Sequence, residues 1–311
     1  PCEKGFVGCS GARWSWKRGK MEDEEPEYAV VPLNLLAFPR NQHPKCELTN
    51  VNANVQLVTP YCSLYYANEA TAEQAWNGIV RKIAHLLAPL IEPPPMIGTH
   101  DERSKRVKNI NLSKRSLIEF CLGESSNHLS VQNYSLALPA SIMALKFSQD
   151  LDGGQSLLVV EPYLQLAQSS LGLTQLGQAQ EYLALAKWIV LNTAECSDLT
   201  RSRLHQLLGR LSSAKGEFEE AKSDFATSVY YASKYHGAES IDTSSSYYRL
   251  GDCFLAQGNV ESSLALFDKV VDIWYKYLSA LHAGTNKEEQ ILSEEILSDG
   301  HDQLTRVLNS R

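Results

Sequence analysis

Seven cysteines, at positions 2, 9, 46, 62, 121, 196 and 253, are the most reactive side chains in this 311-residue chain, and their spacing is irregular. An odd, scattered set reads as reduced thiols and not as a disulfide framework. The eight histidines do not cluster in sequence. Phosphate-cradling GxxxxGK[ST] and GxGxxG loops, an HExxH pair and a GxSxG elbow are all absent, so no catalytic motif with a known mechanics is in place. The chemistry left is polar recognition. Helical phase puts Arg203, Gln206 and Arg210 along one helix face, with Gln168 before them and Tyr248 and Asp252 after. A mixed polar and aromatic strip suits capture of a protein partner, although the same residue types also populate solvated faces.

Such a strip needs regular helices to carry it, and the sequence supplies them by repetition. Ala137, Ala179, Ala221 and Ser263 follow one another at intervals of 42, and each has a second mostly small residue seven positions later: Ala144, Ala186, Ser228 and Val270. A spacing of seven keeps both positions on one helical face, where small side chains let helices approach closely. Leu208, Gly209, Gly216, Phe218, Ala221 and Phe225 recur as Leu250, Gly251, Gly258, Val260, Ser263 and Phe267. These patterns resemble the tetratricopeptide repeat, with helices or connections longer than the usual 34-residue unit of that family allows. Mid-helix Gly209 and Gly251 predict close helix crossings, because glycine there otherwise costs about 1 kcal/mol against alanine. Gly216 and Gly258 are expected at inter-helix turns. One further period reaches Thr305, with Gly300 near the turn, and predicts a fifth copy or capping pair.

The formal charge of -7 and 43% hydrophobic content predict a chain with a real core whose main partner is neither nucleic acid nor anionic membrane. No apolar run approaches the roughly 18 residues of a membrane span. The acidic run from Met21 to Glu25 reads as an ordinary N-terminus, so residues 1–20 are expected to be a disordered or extraneous leader.

Residues 1–45, with Pro26, Pro32, Pro39 and Pro44, are expected to be extended or disordered. Residues 46–90 hold Cys46, Cys62, Tyr65, Tyr66, Trp76 and an apolar run from Ile79 to Leu90 with helical spacing. Cys46-Glu47-Leu48-Thr49, Thr59-Pro60-Tyr61-Cys62, Tyr65-Tyr66-Ala67 and Trp76 with the helix behind it resemble a MYND-type zinc finger. Carried over residue by residue, the resemblance puts ligands at Cys46 and Cys62, but Thr49, Thr59, Ala67, Thr71, Val80 and Ala84 stand at the other six positions. Structural zinc needs about four nitrogen or sulfur donors per site, and His85 is a lone surface candidate. No metal and no cofactor is therefore expected. Residues 91–112 read as a Pro-rich and basic linker: Pro93-Pro94-Pro95 is a stiff spacer, and Arg103, Lys105, Arg106 and Lys108 read as a solvated helix start or, alternatively, as a contact for acidic tubulin surfaces.

The expected fold is all-α: a tetratricopeptide-type α-solenoid over residues 113–311 with a 42-residue period, preceded by a small degenerate MYND-like module. Leu117-Ile118-Glu119-Phe120-Cys121, Ala186-Lys187-Trp188, Tyr230-Tyr231-Ala232-Ser233 and Asp272-Ile273-Trp274-Tyr275 extend the likeness to the axonemal MYND-domain proteins that carry such repeats. That likeness covers roughly residues 33–280. It implies a non-enzymatic scaffold of the cytoplasm and cytoskeleton in the axoneme of cilia or flagella. The implied partners are an inner-arm dynein heavy chain and another tetratricopeptide protein; tubulin is a further expected partner only through the charge of the basic stretch. The alternative is a cytosolic tetratricopeptide peptide-binding adaptor or co-chaperone.

Overall fold

The computed structural model describes residues 28–39, 43–91, 99–282 and Thr305. The expected leader and the expected fifth repeat, apart from Thr305, lie outside these residues. The chain divides into two compact units, residues 1–97 and 98–311.

The first unit corrects the all-α expectation, because it is built on a three-stranded antiparallel sheet in the order β1-β2-β3. β1 (Ala29–Pro32), β2 (Val55–Val58) and β3 (Ser63–Tyr66) are short runs rich in valine and tyrosine, residues that fit a pleated, half-buried surface. Val30 pairs with Leu57 and Leu57 with Leu64, so one face alternates inward through the three strands. The proposed boundary at residue 45 therefore cuts through a sheet, and part of the segment expected to be extended or disordered is its edge strand. Pro32 ends that strand, where the missing N–H harms no ladder.

Behind the sheet, α1 (Glu69–Ala75) begins at a capping box in which Asn68 and Thr71 satisfy each other's backbone N–H groups. The chain then passes through a π-helical turn, Trp76–Val80, into α2 (Arg81–Ile91). Tyr66, Trp76, Ile79, Val80 and Ile83 are all buried. Trp76 stacks on Tyr28, with ring centroids 4.3 Å apart, and Tyr65 meets Phe38 edge-on.

The second unit is a run of antiparallel helix pairs. α3 (His100–Ser130) pairs with α4 (Tyr134–Asp152), α5 (Val160–Gly172) with α6 (Leu176–Asn192), α7 (Asp198–Lys215) with α8 (Phe218–His236), and α9 (Ile241–Ala256) with α10 (Val260–His282). α3 begins inside the expected 91–112 linker: the basic stretch from Arg103 to Lys108 is the start of a helix, the plainer of its two readings. Thr99 and Glu102 form its capping box, and Asp101 and Glu102 complement the positive end of the helix dipole.

The turns inside the four pairs are built alike. Gln132, Thr174, Gly216 and Gly258 have φ of 60°, 59°, 84° and 78°. In each pair the following N–H reaches back to a carbonyl five residues earlier: Asn133 to His128, Gln175 to Ser170, Glu217 to Ser212 and Asn259 to Phe254. This is the Schellman pattern that satisfies orphan carbonyls at a helix end. Gly216 and Gly258 take the left-handed conformation without the Cβ clash that Gln132 and Thr174 bear. Ala137, Ala179, Ala221 and Ser263 are all completely buried, as are Ala144, Ala186, Ser228 and Val270.

A core from Val160, Leu164 and Ala167 of α5 through Leu183 and Ile189 of α6 to Leu204 and Leu211 of α7 joins consecutive pairs into one body. The first helices of neighbouring pairs also meet directly, α3 on α5, α5 on α7 and α7 on α9. They form an inner layer, and its surface carries Gln168, Arg203, Gln206 and Arg210.

Candidate partner-binding site

Four of the six strip residues are half-buried on the inner layer: Gln168 on α5, and Arg203, Gln206 and Arg210 on α7. Two of these are engaged with the neighbouring first helices. The Arg203 guanidinium donates from Nη1 to Glu161 Oε1 on α5 at 2.5 Å, and Gln206 Nε2 donates to Ser245 Oγ on α9 at 3.0 Å. They tie one pair to the next, which takes much of their polar capacity out of play for a partner. Tyr248 is a correction to the expected strip. It is buried and stacks on Phe267 of α10, with centroids 5.7 Å apart, because its place on α9 faces the second helix and not the open side. Asp252, one turn further along α9, is exposed.

Arg210 and Asp252 do come together, across a recess of about 270 Å3 between α7 and α9. Leu171, Phe225, Ser213 and Arg249 also line it. Cys253 sits in the same wall, where burial pushes its thiol above the ordinary value, and Sγ donates to the Phe218 carbonyl at 3.5 Å. Arg249 is absent from the strip that helical phase predicts, yet the sequence carries its signal. It stands in the register of Gln165 and Leu207, which are 2% and 4% exposed, so a charge occupies a position this fold otherwise buries.

The zinc that a finger resemblance implies does not fit the residues present. Thr59 Oγ1 accepts from the N–H of Cys62 at 2.9 Å and of Tyr61 at 3.3 Å, and donates to the Cys62 carbonyl at 2.8 Å. Those bonds close a tight loop and exhaust the hydroxyl. At the other cysteine, burial raises the Cys46 thiol, but the hydroxyl and N–H of Thr49 and the N–H groups of Leu48 and Ala67 bring it below its ordinary value. Val80 and Ala84 are buried with apolar side chains where further donors would be needed. Among the described residues no group of three His, Cys, Asp or Glu side chains is placed to hold a metal ion. His85 is exposed and lies edge-on to Tyr61, at 6.4 Å between centroids.

Residues 201–276, which span α7 to α10, match the family model of the tetratricopeptide repeat. The chain contains tetratricopeptide repeats. Among solved structures it is similar to BtubC (BKLC) from P. vanneervenii, at 16% identity and a TM-score of 0.49, over 68% of this chain and 79% of that one. It is also similar to the nearly identical TPR-like repeats of a putative kinesin light chain from Podosopora anserina. There the identity is 18% and the TM-score 0.42, over 63% of this chain and 85% of that one. A repeat of this kind is a protein-interaction scaffold, in which stacked helix pairs offer an extended surface without a reaction centre.

Proposed function

We propose that the chain is a structural adaptor of the ciliary or flagellar axoneme, associated with inner dynein arms. Its repeats would hold an inner-arm dynein heavy chain beside another tetratricopeptide protein, and the basic first half of α3 would face tubulin. The unit before the repeats is a metal-free relative of the MYND finger, in which hydrogen bonds of Thr59 and Thr49 to the cysteine loops replace ligand bonds.

The observation that carries the adaptor reading is the inner layer of first helices, α3, α5, α7 and α9, stacked through direct contacts and lined by charged and amide side chains. The sequence likeness described above supports the axonemal setting. A tagged copy expressed in ciliated cells should be retained in the axoneme, and salt extraction should release it together with inner-arm dynein subunits. A diffuse cytosolic signal with chaperone partners would sink the axonemal reading and favour a cytosolic co-chaperone.

A further inference from the structure

Gly153 and Gly237 end α4 and α8 in the same way, with φ of 82° and 95° and an N–H that reaches back four residues, to the carbonyls of Gln149 and Ser233. The charges beside the two caps are opposite. The last turn of α8 holds Lys234 and His236, which complement the negative end of a helix dipole. The last turn of α4 holds no basic residue, and Asp152 stands there exposed. Asp150 is answered by Lys114 at 3.1 Å, whereas among the described residues Asp152 has no ion pair. The dipole disfavours a carboxylate at this end of a helix, so two negative potentials add.

Asp152 lines a groove of about 580 Å3 between the α4–α5 connection and α6. Gln155, Tyr163, Leu185 and Trp188 also line it, and Asp152 is the only charged residue among the described residues that do. Trp188 is 51% exposed. Tyr163 is held in place, its hydroxyl accepting from Gln149 Nε2 at 3.2 Å and its ring stacked on Tyr182. The last pair shows how this fold answers a carboxylate in such a connection. Gln155 and Leu185 lie two intervals of 42 before Glu239 and Lys269, and there Glu239 takes Lys269 of the second helix at 3.2 Å. In the groove Leu185 holds the lysine's position, which leaves a carboxylate and an indole with no cation of the chain's own.

We propose that this groove receives a lysine or arginine side chain of a partner polypeptide, its cation beside Trp188 and its charge answered by Asp152 and the C-terminal carbonyls of α4. Tryptophan is the best of the aromatic rings at attracting a cation, through the negative face of its π-system. A carboxylate adds a charge-assisted hydrogen bond to either ammonium or guanidinium, and Leu185 offers an apolar wall for the methylene stem that both side chains carry. The inference rests on the adaptor reading only in taking the ligand to be a polypeptide. It adds to the inner layer of first helices a second surface, on a second helix and the connection between pairs.

Fluorescence anisotropy on the purified full chain tests it with fluorescein-labelled hexalysine, hexaarginine and hexaglutamine amides, in about 150 mM salt to screen diffuse attraction. Hexalysine or hexaarginine amide should bind more tightly than hexaglutamine amide, and Trp188→Leu and Asp152→Asn should each weaken the tighter of the two about tenfold. Glu261→Gln, which removes one exposed negative charge from α10, should bind as the parent does. Melting separates recognition from folding: Asp152→Asn takes a carboxylate from the negative end of a helix, so it should melt no lower than the parent. The site is overturned if neither basic peptide exceeds hexaglutamine amide, or if either groove variant binds like the parent. It is overturned equally if Glu261→Gln weakens binding as much as Asp152→Asn, which would assign the affinity to net charge, or if Asp152→Asn melts lower, which would give the carboxylate a structural role. None of these readouts involves axonemes, so failure of the axonemal setting and failure of the groove are told apart.

Discussion

A Cβ added to Gly209 would stand 2.7 Å from the ring of Phe225, and the pair recurs as Gly251 against Phe267 at the same distance. Both phenylalanines are buried, so a methyl at either glycine meets a ring, and Phe225 can yield only toward the recess that it lines. The glycines let the two helices of a pair cross at the ring's thickness. Gly209→Ala gains about 1 kcal/mol of helix propensity, but overpacking a filled core costs about 1–3 kcal/mol. The net expectation is a loss of ~1 kcal/mol in urea denaturation. Equal or greater stability of the variant would mean that Phe225 relocates freely and that Gly209 does not set the crossing.

What the sequence made legible were positions where one residue type has one physical use. Small residues at Ala179 and Ala221, mid-helix glycine at Gly209 and turn glycine at Gly216 each report a close approach or a positive φ, and the structure uses them so. The same logic fails at Gln132 and Thr174, which adopt the left-handed turn without a residue type that advertises it. The sheet is hard to read because Ala29–Pro32 and Val55–Val58 are four residues each, too short to show alternation. The Pro-rich composition around the first of them points to an extended segment without naming its partner strand. The capping box at Thr99 and Glu102 is readable and turns the expected linker into a helix. Tyr248 falls outside the strip because helical phase tells which residues share a face but not which neighbour that face meets. Arg249 needs the converse step of comparing equivalent positions, which exposes a charge in a buried register.

The loop closed by Thr59 predicts a finger-like unit indifferent to chelators. The hydroxyl serves three backbone groups around Cys62 at 2.8–3.3 Å, and removing it leaves buried polar groups unpaired at about 1–3 kcal/mol. Thr59→Ala should therefore lower the melting temperature of the purified protein, while EDTA leaves the parent's unchanged. A parent that melts lower in EDTA, and a Thr59→Ala variant that melts like it, would together show that a metal and not the hydroxyl holds this loop.

Glu239 lies after α8 and takes Lys276 and Lys269 of α10 at 3.0 and 3.2 Å. Hydrogen bonds from these two ammonium groups, reinforced by their charge, lower its carboxyl pKa. A lowered folded-state pKa contributes stability that is present above the unfolded value and is lost as pH falls through the folded value. The parent should melt slightly above Glu239→Gln at neutral pH, and the gap should close below the ordinary carboxylate range. Because the cluster is exposed, added salt should also narrow the gap. A gap unaffected by acid would show that Glu239 acts through something other than its charge.

Arg203 and Glu161 join α7 to α5, so exchanging Arg203 for glutamate does more than remove a partner contact. It sets two carboxylates against each other between neighbouring pairs. The side chains are 34% and 31% exposed, which limits the pair to about 0.5–1 kcal/mol after solvent screening. Arg203→Glu and Glu161→Arg should each lower stability by roughly that amount, and the double exchange should recover most of it because the opposed charges are restored. A double-mutant cycle in urea denaturation measures this coupling directly. Strictly additive losses would mean that the contact carries no coupling, and Arg203 would then be available to a partner, as helical phase alone suggests. Recovery would assign Arg203 to the joint between repeats and not to the surface offered to a partner.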